Sequence, residues 1–219
     1  MKILITGTSR GIGKTVAERF INADNEVIGL DLLPSSINSD RYTHYICDVK
    51  KKNSLPEIDG VNIIFINAGQ QNGKDDIANN LVGAINVVEK YAFQDNIKSV
   101  LFNASASARS GFEFPEYVAS KAGLVGYMKN AAVRLAEFGA TCNSISLGGV
   151  LTASNAAVMG DKEAWERIME VTPLKKWMTE DEVADWVLFL TTVNRSMSGQ
   201  DILVDNGELD LNCTFVWKD

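Results

Sequence analysis

Short apolar runs alternate along the chain with longer stretches in which apolar positions recur every three or four residues. The short runs predict buried strands at residues 3–6, 26–30, 42–47, 61–67, 99–104, 142–147 and 201–204. The longer stretches predict a helix through Val16, Ala17 and Phe20, others over 75–92 and 179–190, and a long one from Pro115 to about Phe138. In that long helix Val118, Ala122, Val125, Met128 and Ala132 form the expected buried stripe. Strands that are apolar throughout and separated by helices indicate a parallel sheet covered on both faces. The expectation is an α/β fold, a single doubly wound domain over 1–219 with a parallel sheet of about seven strands. Between Asp48 and Val61, with Pro56 inside, there is room for about one helical turn.

Composition narrows the function. With 219 residues, 46% of them hydrophobic, the chain can bury a large core. Its 28 acidic against 21 basic residues give a net charge of −7, which argues against nucleic acid as a partner. The one dense basic run, Lys50 to Lys52, reads as a solvated face. Cys47, Cys142 and Cys213 make no disulfide framework, and a reduced, cytoplasmic setting is expected. A single histidine, His44, leaves no zinc cluster, so no metal is expected. No apolar run reaches the roughly 20 residues of a membrane helix, and no signal peptide opens the chain.

The chemistry begins at Thr6-Gly7-Thr8-Ser9-Arg10-Gly11-Ile12-Gly13, between the first strand and the first helix. Glycines there allow a tight turn and close approach of the backbone to a phosphate. The following helix N-terminus offers free amides and positive dipole to a pyrophosphate. Asp31 closes the second strand, where a carboxylate accepts hydrogen bonds from a ribose diol. Gly7, Ser9, Arg10, Gly11, Ile12, Gly13 and Asp31 are therefore the first cofactor-binding candidates. Two rival motifs overlap the segment. Gly7-Thr8-Ser9-Arg10-Gly11 fits a hydrolase nucleophile elbow, but no histidine follows late in the chain. Gly13-Lys14-Thr15 ends like a nucleoside-triphosphate loop, but the glycine needed upstream is Thr8.

Tyr117-Val118-Ala119-Ser120-Lys121 puts a phenol and an ammonium on one helix face. A nearby cation favours the phenolate and draws the tyrosine pKa down, which suits a general acid or base. Together with the glycine turn, Asp48-Val49, Asn67-Ala68-Gly69, Asn80 in Asn80-Leu81-Val82-Gly83, and a serine after the fifth strand, these residues resemble the short-chain dehydrogenase/reductase family. The resemblance spans nearly the whole chain. It implies a Rossmann-type sheet and an oxidoreductase moving hydride between a nicotinamide cofactor and an alcohol or carbonyl. It assigns proton exchange to Tyr117, the nicotinamide ribose to Lys121, the substrate oxygen to a serine, and a water to Asn80. Asp48 and Val49 would meet the adenine, and Asn67, Ala68 and Gly69 would line the cofactor. Val150 and Thr152 would contact the carboxamide. The alternative is a non-catalytic dinucleotide-sensing module.

Three departures from the family stand out. Leu147-Gly148 replaces Pro-Gly after the sixth strand, removing a ring that would stiffen the loop. The link after Asp48 is short. The serine–tyrosine segment is also short, so Ser105 or Ser107 fills the serine role, with Ser105 preferred. A substrate loop is expected over about 149–178, where Val158, Met159, Trp165, Ile168 and Met169, with Phe112 and Phe114, form a lid or simply pack an amphipathic helix. Asp31 favours NAD over NADP, with Arg10 expected to pair with that carboxylate or cover the adenine. The resemblance also implies a homodimer or homotetramer, with the 115–138 helix and the apolar tail over 209–217 as its surfaces.

Overall fold

In the computed structural model, residues 1–71 and 74–211 are described. Seven strands, Lys2–Thr6 (β1), Glu26–Asp31 (β2), Tyr42–Ile46 (β3), Ile63–Ile66 (β4), Ser99–Asn103 (β5), Thr141–Leu147 (β6) and Asp201–Val204 (β7), form one parallel sheet. Their order is β3-β2-β1-β4-β5-β6-β7. Alternation along each strand divides the core. Ile3, Ile5, Ile63, Phe65, Leu101 and Ile145 face one side. Helices Gly11–Asn22 (α1) and Glu180–Leu188 (α7) cover it. Leu4, Ile64, Ile66, Val100 and Phe102 face the other, under Gly83–Tyr91 (α2) and Pro115–Leu135 (α4). Strands buried on both faces need no polar alternation, which is why the apolar runs were legible. The edge strand β3 is half exposed and departs from that pattern.

Sheet order reverses between β1 and β4, opening a crevice at their carboxyl ends. Every element that carries a candidate residue ends or begins there. A short helix, Ser107–Ser110 (α3), precedes α4, and Ala156–Gly160 (α5) and Lys162–Val171 (α6) follow β6. The expected substrate loop over 149–178 thus contains helices, α6 carrying Trp165, Ile168 and Met169, and α3 is an element the apolar pattern does not predict. Over 52–54 a single 3₁₀ turn fills the short link, as expected.

Two helical expectations change. In place of one helix over 75–92, a wide π turn at Ile77–Val82 leads into α2. The α4 stripe is rotated as well. Lys121, Leu124, Met128, Ala131 and Leu135 are buried, whereas Ala122 is exposed. Hydrophobicity alone cannot place a helix whose inward face carries a lysine and a serine. Cys47 and Cys142 are buried free thiols, and Cys213 lies outside the described residues.

Candidate active site

The glycine turn is built by hydrogen bonds from both neighbouring strands. Thr6 Oγ1, at the end of β1, accepts the main-chain N–H groups of Asn67 and Ala68, each at 2.9 Å. The Asn67 amide donates to the Thr6 and Gly7 carbonyls at 3.1 and 3.2 Å. Gly7 has φ +76°, open to glycine at little cost. At Gly13 a Cβ would lie 2.0 Å from the Gly7 carbonyl oxygen, so the first turn of α1 can close on β1 only without a side chain. Such a cradle fits a pyrophosphate against backbone amides. Ser9 N–H donates to Asp31 Oδ2 and Leu33 N–H to Asp31 Oδ1, both at 2.9 Å. Arg10 is exposed and pairs with no acid among the described residues, so the expected Arg10–Asp31 pair does not form. Each carboxylate oxygen accepts one main-chain N–H and keeps a lone pair for a further donor.

After β3, Asp48 Oδ1 accepts the Lys50 N–H at 3.0 Å. The Asn86 amide grips the Val49 and Lys50 carbonyls. Val49 itself fills the space over Gly83, where a Cβ would come within 2.6 Å of it.

On the catalytic side, Asn80 is buried in the π turn. Its amide donates to the Gln70 carbonyl and to Ser120 Oγ, each at 2.9 Å, and its Oδ1 accepts the Gln70 N–H at 2.8 Å. Gly69 lies beside both Asn80 and Lys121, since a Cβ there would be 3.0 Å from Asn80 Oδ1 and 3.6 Å from Lys121 Nζ. Lys121 Nζ donates to the Asn103 carbonyl at 2.7 Å. It lies 5.7 Å from the centre of the Tyr117 ring. Burial pushes the lysine down to about 8, against a smaller opposing effect of Asp76.

The Ser105 hydroxyl beside the Tyr117 phenol favours the phenolate. The net direction for Tyr117 is nevertheless upward, because burial outweighs that effect and the charges of Glu113 and Asp76 act with burial. The downward shift expected from the neighbouring lysine is therefore absent from the protein alone. Ser107 opens α3, and Ser105 Oγ donates to Ser107 Oγ at 3.2 Å. Of the two serines, Ser105 is the one that acts on the Tyr117 phenol.

The loop after β6 is stiffened without proline. Val150 bridges to Met178, Leu151 N–H donates to the Met178 carbonyl, and Met178 N–H returns to Gly149. Thr152 follows directly, leading into α5. Trp177 packs so closely under Gly149 that a Cβ would be 2.0 Å from its ring, and Trp165 of α6 meets Trp177 edge-on. The lid candidates Val158, Met159, Ile168 and Met169 are all at least partly exposed, as are Phe112 and Phe114.

Sequence reasoning missed Asn103. Its amide donates to Asn67 Oδ1 at 2.9 Å, and its own Oδ1 is buried without a partner in the structure. That orphaned oxygen, between the glycine turn and Lys121, fits a site meant to close around a hydroxyl-rich group. Nothing in a single sequence ties residue 103 to residue 67; only the neighbouring of β4 and β5 does.

The chain matches the family model described as enoyl-(acyl carrier protein) reductase over residues 61–208, and the NAD-dependent epimerase/dehydratase model over residues 3–116. It is 31% identical to (+)-borneol dehydrogenase 1 of Salvia officinalis, over 93% of this chain and 92% of that protein. Momilactone A synthase of Oryza sativa subsp. japonica is 30% identical over 97% and 91%. Among solved structures, a short-chain dehydrogenase/reductase family oxidoreductase from Burkholderia thailandensis superposes with TM-score 0.86 at 24% identity, covering 96% of this chain and 93% of that one. The chain belongs to the short-chain dehydrogenase/reductase family. It is an NAD(P)-dependent oxidoreductase acting on alcohol and carbonyl groups, and the non-catalytic sensing alternative falls away.

Proposed function

We propose that this enzyme uses NAD(H) to interconvert a small-molecule alcohol and its carbonyl, with Tyr117 as the proton donor and acceptor. The observation that carries the reading is the meeting of Ser105, Tyr117 and Lys121 beside the glycine cradle at the sheet's switch point. When bound, the nicotinamide supplies or takes the hydride. Tyr117 gives its proton to the substrate oxygen during reduction and takes it back during oxidation. Ser105 orients that oxygen, and the Lys121 ammonium stabilises the phenolate left behind. Asn80, bonded through Gln70 and Ser120, fixes the π turn under Lys121. Gly7–Gly13 and Asn67–Gly69 would hold the cofactor, with Asp48 and Val49 toward its adenine and Val150 and Thr152 toward its carboxamide.

NAD over NADP rests on Asp31. Its carboxylate is aimed at the turn and held by two main-chain N–H groups, where it accepts ribose hydroxyls and repels a 2′-phosphate. The unpaired Arg10 is the opposing influence, and ElxO, a fold neighbour at 22% identity and TM-score 0.85, has been solved with NADP bound.

Residues 1–219 are read as one domain, with substrate loop 149–178, working in the cytoplasm as a homodimer or homotetramer. Val133 on α4 and Trp186 and Phe189 near α7 are large apolar side chains left at the surface, in keeping with assembly. Of the tail surface, residues 212–217 lie outside the described residues. No described helix is long and apolar enough to cross a membrane. A panel of alcohols and ketones with each cofactor, followed by nicotinamide absorbance, tests the activity. No turnover on any member would count against Tyr117 as assigned, and a monomeric mass by light scattering would remove the oligomer.

A further inference from the structure

His44 and Tyr42 lie on β3, away from the substrate crevice, and the mechanism does not use them. Their hydrogen bonds nevertheless lead back to Asp31. His44 Nε2 is 2.8 Å from the Leu33 carbonyl oxygen, and His44 Nδ1 is 2.8 Å from the Tyr42 hydroxyl. The Tyr42 hydroxyl is also 2.8 Å from Thr8 Oγ1, which is fully buried in the glycine turn. Ser9, next along the chain, donates its N–H to Asp31 Oδ2, and Leu33 donates its N–H to Asp31 Oδ1. Ser9 Oγ then crosses the ring to the Leu33 carbonyl at 3.0 Å.

These bonds form a closed circuit through Asp31, Leu33, His44, Tyr42, Thr8 and Ser9. A carbonyl oxygen can only accept, so His44 Nε2 carries a proton and Nδ1 faces the phenol. The circuit also explains Gly29. A Cβ there would lie 2.0 Å from the Tyr42 oxygen and 2.3 Å from Thr8 Oγ1, so β2 must present a glycine where the phenol passes over it.

We propose that His44 and Tyr42 are positioning residues for the adenosine end of the cofactor, holding the two N–H donors that aim the Asp31 carboxylate. The inference rests on the reading of Asp31 as the ribose acceptor. Without His44 the Leu33 carbonyl keeps only the Ser9 hydroxyl, and the 31–33 segment loses its tie to β3. Without the Tyr42 hydroxyl, Thr8 loses its partner inside the turn. Both changes loosen the ribose pocket and leave Ser105, Tyr117 and Lys121 in place.

The test is AMP affinity, measured calorimetrically on the full chain, beside the KM for cofactor and kcat at saturating cofactor. Losing one hydrogen bond of this kind, part-buried at Tyr42 and exposed between His44 and Leu33, corresponds to up to about a tenfold loss of affinity. His44→Ala and Tyr42→Phe should each weaken AMP by about that factor and raise the cofactor KM in step, with kcat within twofold. His44→Gln keeps a donor for Leu33 and should recover most of the loss. A lower melting temperature with AMP affinity unchanged in either variant overturns the proposal, since it would make the circuit merely structural. Tyr42→Phe removes one hydroxyl only and keeps the test open if His44→Ala does not fold. If Asp31→Ala leaves AMP affinity untouched, the ribose reading fails and the proposal falls with it. If Asp31→Ala weakens AMP and the two circuit variants do not, the proposal alone fails.

Discussion

The ammonium of Lys121 rests 2.7 Å from the main-chain oxygen of Asn103, the last residue of β5. A buried cation with a neutral partner is costly to charge, and its titration is displaced to about 8. The unfolded chain keeps the ordinary lysine value near 10.4, so between about pH 8 and 10.4 it binds more protons than the folded chain. Stability carried by this residue therefore rises with pH across that window and is flat below it. Relative to Lys121→Met, the unfolding free energy of the wild type should climb by at most about 3 kcal/mol between those limits. Chemical denaturation at pH 7.5 and 10 checks this, and a difference that falls with pH would be inconsistent with a desolvated lysine.

Tyr117→Phe keeps the ring and its packing and loses only the transferable proton. Turnover should fall by at least about 10²-fold, with cofactor affinity within a few-fold of wild type. Steady-state rates and a cofactor titration decide it. Retention of more than a tenth of the activity would remove Tyr117 from its role.

Ser105→Ala and Ser107→Ala separate two hydroxyls that touch each other. The first removes the hydroxyl that acts on the Tyr117 phenol; the second removes only that hydroxyl's own partner. The larger loss of kcat should come from Ser105→Ala, and the reverse order would move the assignment by two residues.

Asp31→Ala should move the kcat/KM ratio toward NADP(H) by at least about tenfold, equivalent to about 1.4 kcal/mol. Removing the carboxylate ends repulsion of a 2′-phosphate and leaves the unpaired Arg10 free to meet it. No change in the ratio would place Asp31 away from the ribose.

Gly13→Ala introduces a methyl 2.0 Å from the Gly7 oxygen and 2.6 Å from the Asn67 amide. Backbone must move to admit it, at a cost of about 1–3 kcal/mol. Urea unfolding should show that loss, together with weakened cofactor binding, because the same carbonyl and amide shape the cradle.

Sequence carried most of the sheet because a doubly covered strand such as β4, Ile-Ile-Phe-Ile, has one physical reading. The glycine turn and the Tyr117–Lys121 pair stand out because the chemistry restricts residue type at fixed spacing, whereas Asn67, Asn80 and the serine enter only through the family resemblance. What stayed hidden depends on distance through space. Asn103 meets Asn67 across neighbouring strands. His44 reaches Leu33 only because β3 pairs with β2 in a register that sets Gly29 opposite it. The upward direction for Tyr117 depends on burial and on Glu113 and Asp76, and no pattern of letters conveys their net effect. The absent Arg10–Asp31 pair is of the same kind, since the donors that hold the carboxylate are main-chain groups that every residue here carries.

The substrate loop is divided into two parts with opposite tolerance for change. Its first stretch is wedged, with Trp177 under Gly149 and Val150 bridged to Met178. Beyond Thr152 no side chain of α5 or α6 is fully buried. Substitutions at such surface positions usually alter stability by less than about 0.5 kcal/mol. New side chains can therefore be tried at the exposed positions of 156–171 at little risk to the fold, while the stretch bridged to Met178 stays fixed. An enzyme built this way can drift from one alcohol to another while its hydride chemistry stands still.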